Sequence, residues 1–443
     1  MKREDIVRSL RRDNRLLKKW KYKLRLMLKY GRQINTTMPV DKLLELISKE
    51  TKEILNADRC SMLLFDREKN QLWGKVAHGI NIEKLRFSKE KGLAGFSAMT
   101  GKAVNVKDAY KDVRFNPEID KKTGYRTKTV LCFPMRNHQG EVIGVFQVLN
   151  KKGRYFSKED EELLRILSSQ AAAALENTQL YDELKKSFES FIKTLVATID
   201  ARDPMTAGHS HRVTDYSMLI AKQLGIFGKE SQLLQYASIL HDLGKIGVRE
   251  AVLTKPGSLT DEEYRHIKNH VIFTRKILEE IYFEKYLKEI PFIASSHHER
   301  INGSGYSNSL KGNAIHRLSK IIAVADVFDA ITNKRHYRKP MPIRKVLLII
   351  KDGSGSHFDS KCVKGFMNIP LDKLIKVLGK DIIPHFDMED LKRFSNYTVG
   401  QFLAILQKQK SKISKKETKL IQRFNYYYLL KRFLKDEKKH KRD

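Results

Sequence analysis

Residues 228–248 read GKESQLLQYASILHDLGKIGV. Leu233, Leu234, Ala237 and Leu240 recur at helical spacing, so the stretch predicts a helix with one buried face. That helix ends in His241 and Asp242, and a buried imidazole beside a buried carboxylate is costly unless something pairs with them. A metal ion can take both, because a carboxylate offers two oxygens and can bridge a pair of cations. Candidates for the other ligands stand on neighbouring apolar elements. In AGHSHRVTDYSMLIAKQLGI (207–226), Val213, Tyr216 and Ile220 form one helical stripe. His209 lies on it, four residues before Val213, and His211 lies off it. His270 follows on a helix opened by Thr260, whose pairing with Glu263 predicts a capping box. His297 and His298 are an adjacent pair before a glycine-rich loop. Asp326 sits in IIAVADVFDAI (321–331), a run so apolar that its carboxylate must be buried. A lone histidine on an apolar face is an ordinary core residue. Five histidines and two aspartates on apolar elements of one region point to metal. His266, four residues before His270, does not join them, since HIKNH lacks the glutamate of a metalloprotease helix.

The chain of 443 residues has room for two or three domains, and 41% hydrophobic with 31% charged residues is a globular balance. No apolar run reaches the ~20 residues of a membrane span. The first residues are basic without the apolar centre of a signal peptide. Cys60, Cys132 and Cys362 stand far apart in no metal-like spacing and read as buried thiols of a reducing compartment, so a cytoplasmic protein is expected. The net charge of +34 invites a nucleic-acid reading. Much of the excess, however, sits at the two ends, in 1–32 and 408–442, where helical charge is usually a solvated face. Nucleic acid or membrane contact through these basic ends stays an open alternative.

Ahead of the histidine-rich region, a helix with Leu43, Leu44, Ile47 and Ile54 on one face leads into predicted strands at 60–65 and 72–77. Strands at 130–135 and 142–149 flank a polar turn, a hairpin signature. Over 35–157 this alternation resembles a GAF sensor domain, and GLAGFSAMTGKAVNVKDAYKDVRFNPEID (92–120) is similar to the stretch that shapes the ligand pocket there. In LNKKGRYFSKEDEEL (149–163), Asn150, Lys151, Phe156, Asp160 and Glu161 resemble the signature of GAF domains that bind cyclic nucleotides. The resemblance implies a Lys–Asp tie near the pocket and a possible cyclic nucleotide ligand. A GAF fold used only for dimerisation is the alternative. Residues 157–203 contain neither Gly nor Pro, and Leu184, Phe188, Phe191, Leu195 and Ile199 mark one helical face. This predicts a long helix of coiled-coil type, linking sensor to effector and pairing with its twin in a homodimer.

Residues 190–370 are similar to the HD-GYP branch of the His-Asp phosphohydrolases. The resemblance rests on ARDPMTAGHSHRV (201–213), LHDLGKIGV (240–248), KPGSLTDEEYRHIKNH (255–270), HHERINGSGYS (297–307), IIAVADVFDAIT (321–332) and KRHYRK (334–339), in that family's order and spacing. It implies an all-α domain that hydrolyses cyclic di-GMP to linear pGpG with two divalent ions, iron or manganese. His209, His241 and Asp326 would hold one ion, His270, His297 and His298 the other, and Asp242 would bridge them. Lys245 would neutralise or protonate the phosphate, Gly305 and Tyr306 would line the pocket, and Arg335 and Arg338 would grip the far phosphate or guanine. The sequence departs from the family at Ser307, where a proline is expected to stiffen the loop. It departs again at Met205, where some members carry a glutamate that binds a third metal. Another cyclic dinucleotide as substrate, or a catalytically weak scaffold that binds cyclic di-GMP, are the competing functions. The organisation expected is therefore a basic helix (1–34), a GAF domain of antiparallel sheet and flanking helices (35–157), a linker helix (158–189), an all-α HD-GYP domain (190–370) and a basic helical extension (371–443).

Overall fold

The structure, a computed structural model, describes Asn14 and residues 39–437 apart from 67, 78–85, 154, 204–207, 334–340, 381–382 and 384. The basic helix expected over 1–34, Met205, Arg335 and Arg338 lie outside the described residues. The chain forms two compact units, Met1–Ser187 and Phe188–Asp443.

The first unit is built on a six-stranded antiparallel sheet in the order β3-β2-β1-β6-β5-β4. Its strands are β1 (Ala57–Asp66), β2 (Gln71–Ala77), β3 (Arg86–Ser88), β4 (Val104–Val106), β5 (Val130–Arg136) and β6 (Val142–Lys151). Alternation sends one set of side chains to each face. Cys60, Met62, Leu131, Phe146 and Val148 pack under α1 (Val40–Ile54), which buries Leu43, Leu44 and Ile47. Leu63, Val130, Cys132, Val145 and Leu149 pack on the other face with α2 (Gly92–Thr100). The short α3 (Glu118–Thr123) follows β4.

One 45-residue helix, α4 (Lys158–Arg202), takes part in both units. Leu163, Leu164, Leu167, Ala171, Ala172 and Leu175 complete the core beneath the sheet. Ile192, Val196 and Ile199 enter the core of the second unit. Of the linker expected over 158–189, the part from Leu163 to Leu175 is thus core of the first unit, and none of 176–189 is buried. Within the stripe read from the sequence, Ile199 is buried and Phe188 and Leu195 pack against the core, while Leu184 and Phe191 are exposed and Ile192 and Val196 join the buried face. Helical spacing gives the period of a stripe; what packs against it decides which stripe is buried.

The second unit is helical: α5 (His209–Gln223), α6 (Gly228–Leu240), α7 (Glu250–Leu253), α8 (Asp261–Lys268), α9 (His270–Glu279), α10 (Ile290–Ser295), α11 (Arg317–Thr332), α12 (Ile343–Asp352), α13 (Ser360–Met367), α14 (Leu371–Gly379), α15 (Met388–Phe394), α16 (Val399–Gln407) and α17 (Lys415–Glu437). The boundary expected at 370 does not divide its core. Leu374, Phe394, Phe402, Leu420 and Phe424 belong to the same apolar cluster as Tyr216, Ile322 and Phe366. The basic C-terminal helix is pinned there by polar contacts as well. Asp390 accepts from Arg423 Nε at 2.6 Å and from the Tyr427 hydroxyl at 2.9 Å, and the Tyr428 hydroxyl donates to Met341 O at 2.6 Å.

Candidate metal centre

Several elements of the second unit meet at one buried point, most of them at an end and α11 along its length. α5 opens with His209, and Gly208 before it takes a left-handed φ of 72°. α6 delivers His241 at its end, and Asp242 starts the tight turn Leu243–Gly247. That turn presses on α9: a Cβ at Gly244 would lie 1.9 Å from His270 O and 2.2 Å from Thr274 N. Glycine is required there by close approach. The capping box of Thr260 and Glu263 is formed and starts α8. α9 begins with His270, α10 leads into His297 and His298, and α11 carries Asp326.

The imidazoles are set by their other nitrogen. Nδ1 of His241, His270 and His297 faces the carbonyl three residues earlier, at Ser238 (2.6 Å), Ile267 (2.7 Å) and Ala294 (2.6 Å). A carbonyl only accepts, so each Nδ1 carries the proton and each Nε2 presents a lone pair. All three Nε2 atoms are buried without a hydrogen-bond partner. Buried polar atoms are seldom left so, and three lone pairs gathered in one region suit a set of metal ligands. His209 is held differently: its Nδ1 donates to Asp329 Oδ2 at 2.8 Å, and its Nε2 lies 3.2 Å from Asp326 Oδ1.

Asp242 stands between two groups. Its Oδ2 is 3.5 Å from Nε2 of both His209 and His241, while its Oδ1 is 3.4 Å from His270 Nε2 and 4.0 Å from His297 Nε2. Donor atoms gather as His209, His241 and Asp326, as His270, His297 and His298, and as His241, Asp242 and His297, each set within 4.8 Å. Lys245 Nζ reaches Asp242 Oδ2 at 2.7 Å and Asp203 Oδ2 at 3.7 Å. The donor set is mixed nitrogen and oxygen, as divalent transition ions prefer.

Burial lowers the pKa of His270 and His297 to about 4, and lowers those of His241 and His298 as well. These four are therefore neutral, the ligating form, at neutral pH. Burial opposes charge on His209 too, but the Asp326 and Asp329 carboxylates outweigh it and push its pKa up to about 9. Burial likewise opposes charge on Asp242 and Asp326. Lys245 and the imidazoles beside Asp242, and His209 and His298 beside Asp326, hold both carboxyls well below the usual range.

Tyr306 lies against His298, with ring centroids 4.7 Å apart and 30° between planes. A Cβ at Gly305 would come 2.5 Å from Glu299 Cα, so this loop lies flat on the His297–Glu299 turn. The stiffness expected to be lost at Ser307 has another source: the buried Glu299 carboxylate accepts from Asn308 N at 2.7 Å and Leu310 N at 2.9 Å. In the first unit Lys151 Nζ contacts Asp160 Oδ2 at 2.5 Å, Asn105 Nδ2 donates to Glu161 Oε1 and to Phe156 O, and Asn150 binds the backbone of 126–129.

Sequence reading missed four residues at the second unit's site. Asp329 is one turn after Asp326, and its carboxylate also accepts from Arg212 Nε at 2.9 Å. A second carboxylate in so apolar a run, and an arginine one turn after His209, were the available signals. Asp203 and Glu299 carried none beyond their nearness to ligands. His211 is exposed, His266 Nε2 accepts from Arg249 N, and His316 caps α11, so none of these joins the cluster.

Residues 39–175 match the GAF domain family and residues 193–362 the HD domain family. The chain carries a GAF domain followed by an HD domain. Over 174 residues it is 39% identical to 3'3'-cGAMP-specific phosphodiesterase 3 of Vibrio cholerae, covering 39% of this chain and 37% of that protein. Over 256 residues it is 34% identical to a cyclic di-GMP phosphodiesterase of Vibrio cholerae, covering 55% and 51%. Over 200 residues it is 34% identical to the cyclic di-GMP phosphodiesterase response regulator RpfG of Xanthomonas campestris, covering 45% and 53%. The chain thus spans about half or less of these curated relatives. Among solved structures, a GAF domain/HD domain protein from Geobacter sulfurreducens matches at 19% identity and a TM-score of 0.29, covering 32% of this chain and 94% of that one.

Proposed function

We propose that the second unit holds two divalent cations and hydrolyses a phosphodiester of a cyclic dinucleotide, with cyclic di-GMP the substrate and linear pGpG the product. The observation that carries this is Asp242, which turns one carboxylate oxygen to His209 and His241 and the other to His270 and His297, with the Nε2 atoms of His241, His270 and His297 buried without hydrogen-bond partners. His209, His241 and Asp326 would hold one ion and His270, His297 and His298 the other, with iron or manganese suited to the donors. Bound there, such ions supply charge stabilisation for a phosphodiester and lower the pKa of water. Lys245 brings an ammonium to the same carboxylate and serves the phosphate's negative charge, and Asp203 steadies that ammonium. Tyr306 and Gly305 form the wall beside His298. Arg335 and Arg338, outside the described residues, would grip the far phosphate or guanine, a role that rests on the family resemblance alone. Relatives named for cyclic di-GMP and for 3'3'-cGAMP support the substrate class. The second of these names makes 3'3'-cGAMP the alternative substrate. Anaerobic purification, metal counting and chromatography of a cyclic dinucleotide panel test the reading. Full turnover with less than one metal per chain would refute it.

The first unit serves as the sensor in this reading. A cavity bounded by Lys91, Gly92, Phe115, Asn116, Tyr125 and Gln147 encloses about 60 Å³. A more open hollow of about 460 Å³ lies beside Asn150 and Lys151, within the range of small-molecule pockets, so the unit offers a place to a small ligand and another to a cyclic nucleotide. A thermal shift separates the two, since a hundredfold excess over Kd stabilises by about 2.7 kcal/mol. Homodimerisation is supported by α4, where Leu180, Tyr181, Leu184 and Phe191 are exposed apolar residues. Sedimentation tests it. Three buried free thiols suit a reducing, cytoplasmic setting.

A further inference from the structure

Lys268 closes α8 two residues before His270. Its Nζ lies 4.4 Å from the ring centroid of Tyr264, one turn earlier on the same helix, and 5.1 Å from that of Tyr306. Tyr306 is the ring that lies against the ligand candidate His298. Tyr264 is 49% exposed, so its ring remains open to solvent. Among the described residues no carboxylate forms an ion pair with Lys268. In a chain this basic most lysines extend into water. This one is gathered between two aromatic faces, which attract a cation through their negative π clouds, and it stands one ring away from the metal ligands. The charge is therefore positioned at the edge of the candidate site with no carboxylate of the described residues paired to it.

We propose that Lys268, set between Tyr264 and Tyr306, receives the phosphate that is not being cut, with the open Tyr264 ring as a stacking surface for the adjoining base. Both phosphates of a cyclic dinucleotide belong to one small ring, so a group that grips one must lie close beside the centre that attacks the other. The lysine then acts in substrate choice: it favours diesters with a second phosphate over those with one. This inference rests on the cyclic dinucleotide reading above.

The test is a comparison of two substrates on the metal-loaded full chain. Cyclic di-GMP has two phosphates and bis(p-nitrophenyl) phosphate has one. Loss of a charge-assisted hydrogen bond gives the scale. Lys268→Gln should raise KM for cyclic di-GMP at least about tenfold with kcat changed by less than about twofold. Its kcat/KM should fall at least about tenfold more for cyclic di-GMP than for the one-phosphate diester. Lys268→Arg should restore most of the loss, and Tyr264→Leu should give part of it. Metal content and melting temperature, measured on each variant, separate this from a damaged fold. Equal losses on both substrates, or an unchanged KM for cyclic di-GMP, would overturn the proposal while leaving the phosphodiesterase reading in place. A wild-type chain that cleaves the one-phosphate diester and no cyclic dinucleotide would overturn both.

Discussion

Replacing Asp329 by Asn keeps the shape of a buried side chain and removes its charge, and the structure allows two separate effects to be sized. Asp329 is 1% exposed and accepts from His209 Nδ1 at 2.8 Å and from Arg212 at 2.9 and 3.1 Å. Arg212, itself 5% exposed, loses the charge it is paired with. Breaking a buried pair from one side costs about 3–5 kcal/mol. At roughly 2–4 °C per kcal/mol for a unit of this size, Tm should fall by roughly 6–20 °C. His209 loses the carboxylate that orients it and fixes its tautomer. Changing such an outer partner typically weakens metal affinity by roughly 10- to 100-fold. Scanning calorimetry of the metal-free protein reads the first effect, and chelator competition with manganese reads the second. The double variant Arg212→Met with Asp329→Asn removes both charges, so it should recover much of the Tm while metal affinity stays low. An Asp329→Asn protein that binds manganese as tightly as wild type would refute the orienting role. Parallel recovery of Tm and affinity in the double variant would do the same.

Asp242→Ala should lose the second metal and the activity while its far-ultraviolet dichroism stays helical; two tightly held metals in that variant would contradict the bridging assignment. Lys245→Ala should instead keep its metals and lose kcat by roughly 10²–10³-fold, the scale of one charge-stabilising donor, with elemental analysis separating the two cases. Gly244→Ala should lower both Tm and metal content, since its Cβ has no room against His270 O. Acid should release the C-terminal helix. Burial works against charge on Asp390, but Arg423 and Tyr427 outweigh it and lower its pKa. For a depressed carboxylate the stabilisation is complete above the unfolded value of about 3.9 and is lost as pH falls through the folded one. Hydrogen-exchange protection over 415–437, relative to the intrinsic rate at each pH, should therefore fall below about pH 4, and Asp390→Asn should show the lower protection at neutral pH.

Much of the buried His/Asp cluster was legible in the sequence because its members break the rules of the elements that carry them. His241, Asp242 and Asp326 are polar residues where helical periodicity demands apolar ones, and that conflict is visible without coordinates. The capping box at Thr260 and the strand alternation of the first unit were legible for a similar reason, since both are local. Glu299 was not legible: a glutamate next to two histidines looks like surface charge until the loop it pins is folded over it.

Residue order alone pointed to metal chemistry, because imidazoles and carboxylates on buried faces must be paired with something, and a divalent cation would satisfy them together. It also determined where the helices run. The folded chain was needed to see which oxygen of Asp242 faces which histidines, that Nδ1 of three histidines is committed to backbone carbonyls, and that Asp329 and Arg212 back His209. It also decided that Leu420, Phe424, Tyr427 and Tyr428 of a basic tail belong to the core. The physical reason is common to all four. Periodicity fixes a side chain's direction about its own helix axis, whereas burial and pairing depend on what another part of the chain places opposite it.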